Sequence, residues 1–126
     1  TNPAEVHALA QLGALESAQG NESRARALFE RAVAADPASG AAWIHLAALA
    51  VRRGETANAL SCLDACLEAR PYLPGALLLR ARLRMDRGDA AGARGDLARA
   101  GDLDPGNPEI GRLTTELTRT SVGATR

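Results

Sequence analysis

Apolar side chains recur every three or four residues in successive stretches of the chain, and short turn signals separate these stretches. The first stripe, formed by Leu9, Leu12 and Leu15, ends before Gly20. The second stripe lies between Gly20 and Pro37 and consists of Ala25, Leu28, Phe29, Ala32 and Val33. Such spacing places each set of side chains on one face of an α-helix. The pattern therefore predicts two amphipathic helices joined by a short turn.

The same arrangement returns with a period of 34 residues, which defines copies at residues 6–39, 40–73 and 74–107. The residues that keep this period are Pro3, Pro37, Pro71 and Pro105, then Gly20, Gly54 and Gly88, and then Ala25, Ala59 and Ala93. Glycine can take the positive φ that ends a helix, and proline cannot continue one, so these positions punctuate each copy. A fixed period of this length is typical of a stacked helical repeat array.

The repeated positions resemble the tetratricopeptide repeat, whose pattern runs W-x-x-L-G-x-x-Y, then A-x-x-x-F, then P. The matching residues are Leu9, Leu12, Gly13, Ala25, Phe29 and Pro37 in the first copy, Trp43, Leu46, Ala47, Ala59, Leu63 and Pro71 in the second, and Leu77, Ala81, Ala93, Leu97 and Pro105 in the third. The resemblance implies an all-α fold, a right-handed α-solenoid of three helix-turn-helix repeats with a C-terminal capping helix.

The chain departs from that pattern at the tyrosine position, which holds Glu16, Ala50 and Arg84. Aromatic residues make up only 2% of the sequence. The interior is therefore expected to consist mainly of alanine and leucine, with helices that lie close together.

The two ends are interpreted from the repeat register. Residues 1–5 are expected to be the end of a preceding repeat or a linker, because Pro3 is in register with the prolines that end each repeat. Ile110, Leu113 and Leu117 form a narrow apolar stripe, which predicts a capping helix over residues 108–120 with a polar outer face. Residues 121–126 are small and polar and are predicted to be a frayed tail.

A charge interrupts the apolar pattern of the third copy. Arg80 stands where the first two copies have Leu12 and Leu46, and Asp96 stands where the first copy has Leu28. An unpaired charge on this face would be costly to bury, so a structural ion pair between Arg80 and Asp96 is predicted. The alternative is that Arg80 extends to the surface along its aliphatic stem.

Composition limits the function classes. Fifteen basic and fifteen acidic residues balance, and no segment approaches the roughly 20 apolar residues that span a bilayer, so neither nucleic acid nor membrane insertion is expected. All basic residues are arginine, and together with the alanine excess this indicates a GC-rich, bacterial genome. Cys62 and Cys66 are too few for a structural zinc site, and reduced thiols fit a cytoplasmic location.

No catalytic, cofactor-binding or metal-binding residues are proposed from the sequence. His7 and His45 lie on different repeats, and no paired carboxylate or phosphate-binding loop is suggested by spacing. Arg80, Arg82, Arg84 and Arg87 form a local basic cluster, but the aromatic residues that stack on bases are nearly absent. Arg84 and Arg87 are therefore expected to lie on a solvated helix face.

The resemblance implies that a concave groove is lined by the first helix of each repeat. The groove residues expected to bind a partner are Ile44, Ala48, Val51, Arg52, Leu78, Arg82 and Met85, and further positions that face the groove are His7, Ala10, Ala14, Ser17, Ala41 and Gly75. Aliphatic surface with two arginines suits a protein or peptide that has apolar anchors and an acidic residue. The alternative is that some aliphatic residues pack against the next helix instead.

One known mode of recognition is not expected. Chaperone-binding members of the family hold a terminal carboxylate with Lys, Asn and Arg residues in the groove. The matching positions in this chain are Ala10, Ala14, His45, Gly75 and Leu79. None of these is a cation at neutral pH, so an acidic chaperone tail would not be held in that way.

The sequence therefore predicts a protein–protein interaction module that presents a groove to a peptide or partner segment. Two alternatives remain at this level. The chain could be an accessory segment of a larger bacterial enzyme or of a secretion or assembly component. It could also be a scaffold that self-associates into a homo-oligomer.

Overall fold

The computed structural model describes residues 2–124, and within them the regular structure is entirely α-helical. The helices are α1 (Pro3–Ala18), α2 (Glu22–Ala35), α3 (Gly40–Arg52), α4 (Thr56–Ala69), α5 (Pro74–Asp86), α6 (Ala90–Leu103) and α7 (Pro108–Ala124). They form three hairpins, α1–α2, α3–α4 and α5–α6, with α7 after the last. The predicted all-α class and helix-turn-helix repeats are confirmed.

Each hairpin turns at a glycine in the left-handed region of backbone space. The φ angles are +85° at Gly20, +75° at Gly54 and +80° at Gly88, as the sequence predicted. At the first turn, the amide of Asn21 donates a 2.8 Å hydrogen bond to the carbonyl oxygen of Glu16 and so satisfies a carbonyl at the helix end. A residue with a β-carbon would be strained at this φ, which explains why glycine recurs there.

Side-chain hydrogen bonds stabilise the loop between the first two hairpins. The carboxylate of Asp36 accepts a 3.0 Å hydrogen bond from the amide of Ala38. The indole Nε1 of Trp43, the only tryptophan, donates a 2.7 Å hydrogen bond to the carbonyl oxygen of Pro37. Trp43 therefore fixes the entry of α3 as well as contributing apolar surface.

Both ends differ from the sequence-based boundaries. Helix α1 already begins at Pro3, inside the segment 1–5 that was predicted to be the end of a preceding repeat or a linker. Asn2 explains this start, because its Oδ1 accepts a 3.0 Å hydrogen bond from the amide of Ala4 and a proline is favoured in the first helical turn. Helix α7 ends at Ala124, four residues after the predicted limit of 120. Residues 125 and 126 of the predicted tail lie outside the described residues.

The helices group into two compact units, residues 1–71 and residues 72–126. In the first unit, each hairpin packs internally, α2 packs against α3, and α1 also contacts α3. In the second unit, α5 packs against α6, α6 packs against α7, and α5 also contacts α7. In both units the second helix of a hairpin thus supports the helix that follows it.

Small side chains dominate the interior, as the composition predicted. The alanines without solvent exposure are Ala25, Ala32, Ala42, Ala47, Ala59, Ala76, Ala81, Ala93 and Ala100. In the first unit, Phe29 of α2 packs with Leu46 and Leu49 of α3, and Trp43 lies against this cluster. A second cluster joins Val6 of α1 to Ala32 of α2 and Ala42 of α3.

The first predicted stripe is only partly on the packed side of α1. The buried residues of α1 are Val6, Ala10 and Gly13. Leu12 and Leu15 are 46% and 54% exposed, so these two members of the apolar stripe face solvent. The reason is that no helix within the described residues covers this side of α1. The equivalent leucines of α3 are buried because α2 packs on them.

Gly13 and Phe29 are matched in size. A β-carbon on Gly13 would lie 2.6 Å from Cε1 of Phe29, well inside van der Waals contact. The next two repeats carry a larger residue at the glycine position and a smaller one at the phenylalanine position. These equivalent pairs are Ala47 with Leu63 and Ala81 with Leu97. In the first repeat, the Phe29 ring therefore occupies the space that a β-carbon on residue 13 would fill.

The substitution Gly13→Ala is expected to lower the free energy of unfolding by about 1–3 kcal/mol, the usual cost of overpacking a core. Phe29 is fully buried, so its ring cannot move into solvent to make room. Urea denaturation monitored by circular dichroism measures the change.

A matched control is Gly95→Ala on α6, where a β-carbon would meet nothing within 4 Å. This change should stabilise the protein by up to about 1 kcal/mol through helix propensity. The double variant G13A/F29L, which copies the pairing of the other repeats, should regain stability relative to G13A. A Gly13→Ala variant as stable as Gly95→Ala would contradict the packing argument.

Candidate functional site

The first unit brings part of the predicted groove together. Arg52 on α3 donates a 2.6 Å hydrogen bond from Nη2 to Oγ of Ser17 on α1. Ile44, Ala48 and Val51 lie on the same side of α3 as Arg52 by helical spacing. We call this set of five residues the α1–α3 surface. Ile44 and Ala48 are half-buried, whereas Val51 is 38% exposed and Arg52 is exposed.

Arg52 is held in place by the protein itself. Besides its hydrogen bond to Ser17, its Nε lies 3.7 Å from Oε1 of Glu22 at the start of α2. Both charged side chains are substantially exposed, so the ion pair contributes little to stability. Its effect is to orient the guanidinium group over the α1–α3 surface.

The second unit holds the remaining predicted groove residues on α5. Leu78 and Met85 are half-buried and Arg82 is exposed. Nη1 of Arg82 lies 3.5 Å from Oε1 of Glu109 on α7. Each arginine predicted to receive an acidic residue thus already has a carboxylate beside it within its own unit.

Glu22 and Glu109 are the site residues that sequence reasoning missed. Glu109 is 27 residues from its partner along the chain and lies on another helix. Local helical spacing detects only neighbours three or four residues apart, so no pattern within one helix marks these pairs.

Arg80 and Asp96 are in direct contact in the second unit. Asp96 is 4% exposed and accepts bonds of 2.9 and 2.7 Å from Nε and Nη2 of Arg80. It also accepts a 2.9 Å hydrogen bond from Nη1 of Arg84. The expectation that Arg84 lies on a solvated face is therefore wrong. A buried carboxylate needs more than one donor to replace its lost hydration, and Arg84 supplies the third hydrogen bond.

His45 stacks on Phe29, with ring centroids 4.8 Å apart and an interplanar angle of 6°. Burial lowers the pKa of His45, so the ring is neutral at pH 7. The other positions that match the carboxylate-binding residues of chaperone-binding relatives are uncharged by nature. Of these, Ala10 is buried, Ala14 and Leu79 are half-buried, and Gly75 is exposed.

The two cysteines are packed within the first unit. Sγ of Cys66 lies 4.0 Å from the carbonyl oxygen of Gly40, and the residue is fully buried. Burial raises the pKa of both Cys62 and Cys66, so both are thiols rather than thiolates at neutral pH. Within residues 2–124, no group of three His, Cys, Asp or Glu side chains is placed to hold a metal ion. The helices in that range also lack the length and hydrophobicity that a membrane crossing requires.

Comparison with known proteins agrees with the architecture. The family model described as tetratricopeptide repeat matches residues 6–49, which span the first hairpin and most of α3. The helical hairpins of residues 2–124 continue the same 34-residue register through the third copy. Residues 6–49 thus match the tetratricopeptide repeat family, and the described residues form helix-turn-helix repeats of the same kind.

Solved structures of tetratricopeptide repeat domains share this fold at low sequence identity. The first repeat domain of Spaghetti (RPAP3), bound to the HSP90 peptide SRMEEVD, has a TM-score of 0.85 and 21% identity, with 100% of this chain and 98% of that chain covered. The Sgt2 domain from Aspergillus fumigatus has a TM-score of 0.87 and 20% identity, covering 99% of this chain and 83% of that one. Among curated proteins, none matches the sequence at a significant level.

A secretion chaperone has the same fold. SycD, the type III secretion translocator chaperone of Yersinia enterocolitica, has a TM-score of 0.84 and 17% identity, with 100% of this chain and 90% of that chain covered. At this level of identity, the likeness concerns the tetratricopeptide fold alone.

Removing Asp96 alone should be far more harmful than removing the whole ion pair. The variant Asp96→Leu removes the buried carboxylate that accepts hydrogen bonds from both Arg80 and Arg84, and should lower the free energy of unfolding by about 3–5 kcal/mol. The double variant R80L/D96L copies Leu12 and Leu28 of the first repeat and should lie within about 1 kcal/mol of the wild type. Urea denaturation of both variants measures the difference. Equal losses in the single and double variants would contradict a buried, mutually dependent pair.

Stability should fall as the pH falls below about 6.5, the ordinary pKa of histidine. Because folding lowers the pKa of His45, the unfolded chain binds a proton at a higher pH than the folded chain does. The free energy of unfolding therefore decreases as the pH falls from the ordinary pKa to the lowered pKa of the folded state. Denaturation midpoints of the wild type, His45→Gln and His7→Gln at pH 7.5 and pH 5.5 test this. The pH dependence should shrink in His45→Gln and persist in His7→Gln, since His7 is exposed. A reversed ranking would refute the assignment to His45.

Proposed function

We propose that this tetratricopeptide repeat protein is a protein-interaction module and not an enzyme. The proposed binding residues are Ile44, Ala48, Val51 and Arg52 on α3 in the first unit and Leu78, Arg82 and Met85 on α5 in the second unit. The partner is a peptide or protein segment that has apolar anchors and an acidic residue. The family and the structures with the same fold support protein binding in general.

The observation that carries this proposal is the composition of the α1–α3 surface. Val51 offers exposed aliphatic surface, and the next residue of α3 is the exposed Arg52. Burial of such surface favours binding by about 25 cal/mol for each Å² removed from water. Arg52 then adds a charge-assisted hydrogen bond to a carboxylate, which fixes the orientation of the ligand.

The glutamates beside the two arginines determine which ligand carboxylates can take their place. Glu22 lies 3.7 Å from Arg52 and Glu109 lies 3.5 Å from Arg82, and all four side chains are at least one-third exposed. Such pairs are weak in water, so a ligand carboxylate with a shorter, two-point contact can replace them. Each glutamate also repels a second negative charge, which favours ligands with a single acidic residue near the apolar anchor.

The HSP90 peptide SRMEEVD, which the Spaghetti (RPAP3) domain binds, provides a defined probe. This chain should not bind it, because the positions equivalent to the carboxylate-binding residues hold Ala10, Ala14, neutral His45, Gly75 and Leu79. Fluorescence anisotropy of the labelled peptide should show no saturable change up to about 1 mM protein, the weak limit of specific recognition. Saturable binding in the low micromolar range would contradict the assignment of partner chemistry.

A displayed library of random peptides tests the proposal directly. The wild type should enrich peptides that combine aliphatic residues with one acidic residue. The variant V51E/R52E should bind the synthetic consensus peptide at least about tenfold more weakly, because both the apolar contact and the positive charge are replaced.

The matched control is Leu103→Glu on α6, since Leu103 is 39% exposed and Val51 is 38% exposed. Affinity should be unchanged in this control, and circular dichroism checks that every variant is folded. Equal binding by V51E/R52E and the wild type would exclude the α1–α3 surface as the site. Separate variants of Leu78 and Arg82 test the part of the proposal that concerns α5.

A further inference from the structure

The charge on the α1–α3 surface is confined to one end. Arg52 is the last residue of α3, and no residue of α3 before it is charged at pH 7, because burial lowers the pKa of His45. The earlier residues on the same side of α3 are all aliphatic: Ala41, Ile44, Ala48 and Val51. At 1.5 Å per residue, this side of α3 extends about 16 Å from Ala41 to the single cation.

The C-terminal ends of α1 and α3 lie together at the end that carries this cation. Arg52 donates its 2.6 Å hydrogen bond to Ser17, the residue before the last one of α1. The N-terminal parts of the two helices are also close, since Val6 and Ala42 belong to one cluster. The two helices therefore run parallel, and their dipoles place about half a negative charge at each C-terminus.

The N-terminus of a ligand helix matches both features of this end. Such a terminus carries a partial positive charge, and it favours an aspartate or glutamate in its first turn. The positive terminus faces the two negative helix ends, while the carboxylate binds Arg52. An extended peptide supplies the carboxylate but has only a small dipole along its axis, so the two helix ends oppose its negative charge. The charges thus favour a helix over an extended ligand.

We propose that the ligand of the α1–α3 surface is an amphipathic helix that binds antiparallel to α3, with an acidic residue of its first turn at Arg52. This inference rests on the function proposed above. The register follows from α3: ligand residues four and eleven positions after the acid lie opposite Ala48 and Ala41, and the residue eight positions after it lies opposite Ile44. Large side chains then meet small ones if the ligand carries leucine, leucine and alanine at these positions.

Two synthetic helical peptides test the direction. The forward peptide has a glutamate in its first turn, leucines four and eleven residues later and an alanine eight residues later. The reversed peptide has the same residues in the opposite order, and a side-chain lactam on the outer face keeps both peptides helical. Isothermal titration calorimetry should show that the forward peptide binds at least about tenfold more tightly. Equal affinities would overturn the inference.

A proline at an outward position of the forward peptide, without the lactam, tests the need for a helix. Proline breaks a helix but leaves the glutamate and the leucines in place. The affinity should fall at least about tenfold. Unchanged binding would show that the ligand is extended and would overturn the inference.

The substitution Ala41→Leu tests the register. Ala41 is exposed, so the fold should tolerate the change, which circular dichroism checks. The forward peptide should bind about tenfold more weakly, and replacing its second leucine by alanine should restore the affinity. The matched control is Ala57→Leu at an exposed position of α4, which should leave binding unchanged. Equal binding of the forward peptide by Ala41→Leu and the wild type would contradict the register.

A nitroxide label on either end of the forward peptide separates this inference from the proposed function. The label at the peptide N-terminus should broaden the ¹⁵N amide signals of Ser17 and Arg52, and the label at the C-terminus should broaden that of Ala41. The opposite pattern would overturn the antiparallel orientation and leave the proposed function standing. Binding of the library consensus peptide without binding of the forward peptide would also overturn only the helical ligand. If neither binds, the proposed function itself fails.

Discussion

A helical hairpin of this kind cannot bury both apolar sides of its first helix, and much of the structure follows from that constraint. Within the first unit, α2 covers the leucines of α3, and within the second unit α6 packs against α7 in the same order along the chain. Where no neighbour lies within the described residues, as on the outer side of α1, the equivalent leucines are open to solvent. The exposed side of α1 is thus a consequence of the repeat itself.

Close approach of the helices depends on small residues, and individual repeats adjust locally around them. Gly13 makes space for the ring of Phe29, whereas the later repeats distribute the volume as alanine and leucine. The third repeat replaces a leucine pair by Arg80 and Asp96, and it needs Arg84 to complete the hydrogen bonds of the buried carboxylate. These substitutions leave the 34-residue register unchanged, but they change which side chains each repeat can bury.

The sequence predicted what depends on local spacing. The helix class, the helix-turn-helix repeats, the glycine turns and the alanine-rich interior follow from periodicity and from the backbone preferences of glycine and proline. It did not predict which side of α1 is covered, because Leu12 and Leu15 look like core residues until the neighbouring helix is known. It also missed Glu22 and Glu109, because their arginine partners lie on other helices. Arg84 was misjudged for the same reason, since Asp96 lies on the opposite helix of the hairpin.

Binding of a ligand peptide at the α1–α3 surface is measured most directly by a two-dimensional ¹⁵N NMR titration with a peptide selected from the displayed library. The largest shifts should fall on the amides of Ser17, Ala48, Val51 and Arg52, with a smaller change near Glu22 as Arg52 exchanges its carboxylate partner. The outward-facing positions of α2 and α4 should be unaffected. Shifts centred on α2 or α4, with the α1–α3 surface unchanged, would contradict the account.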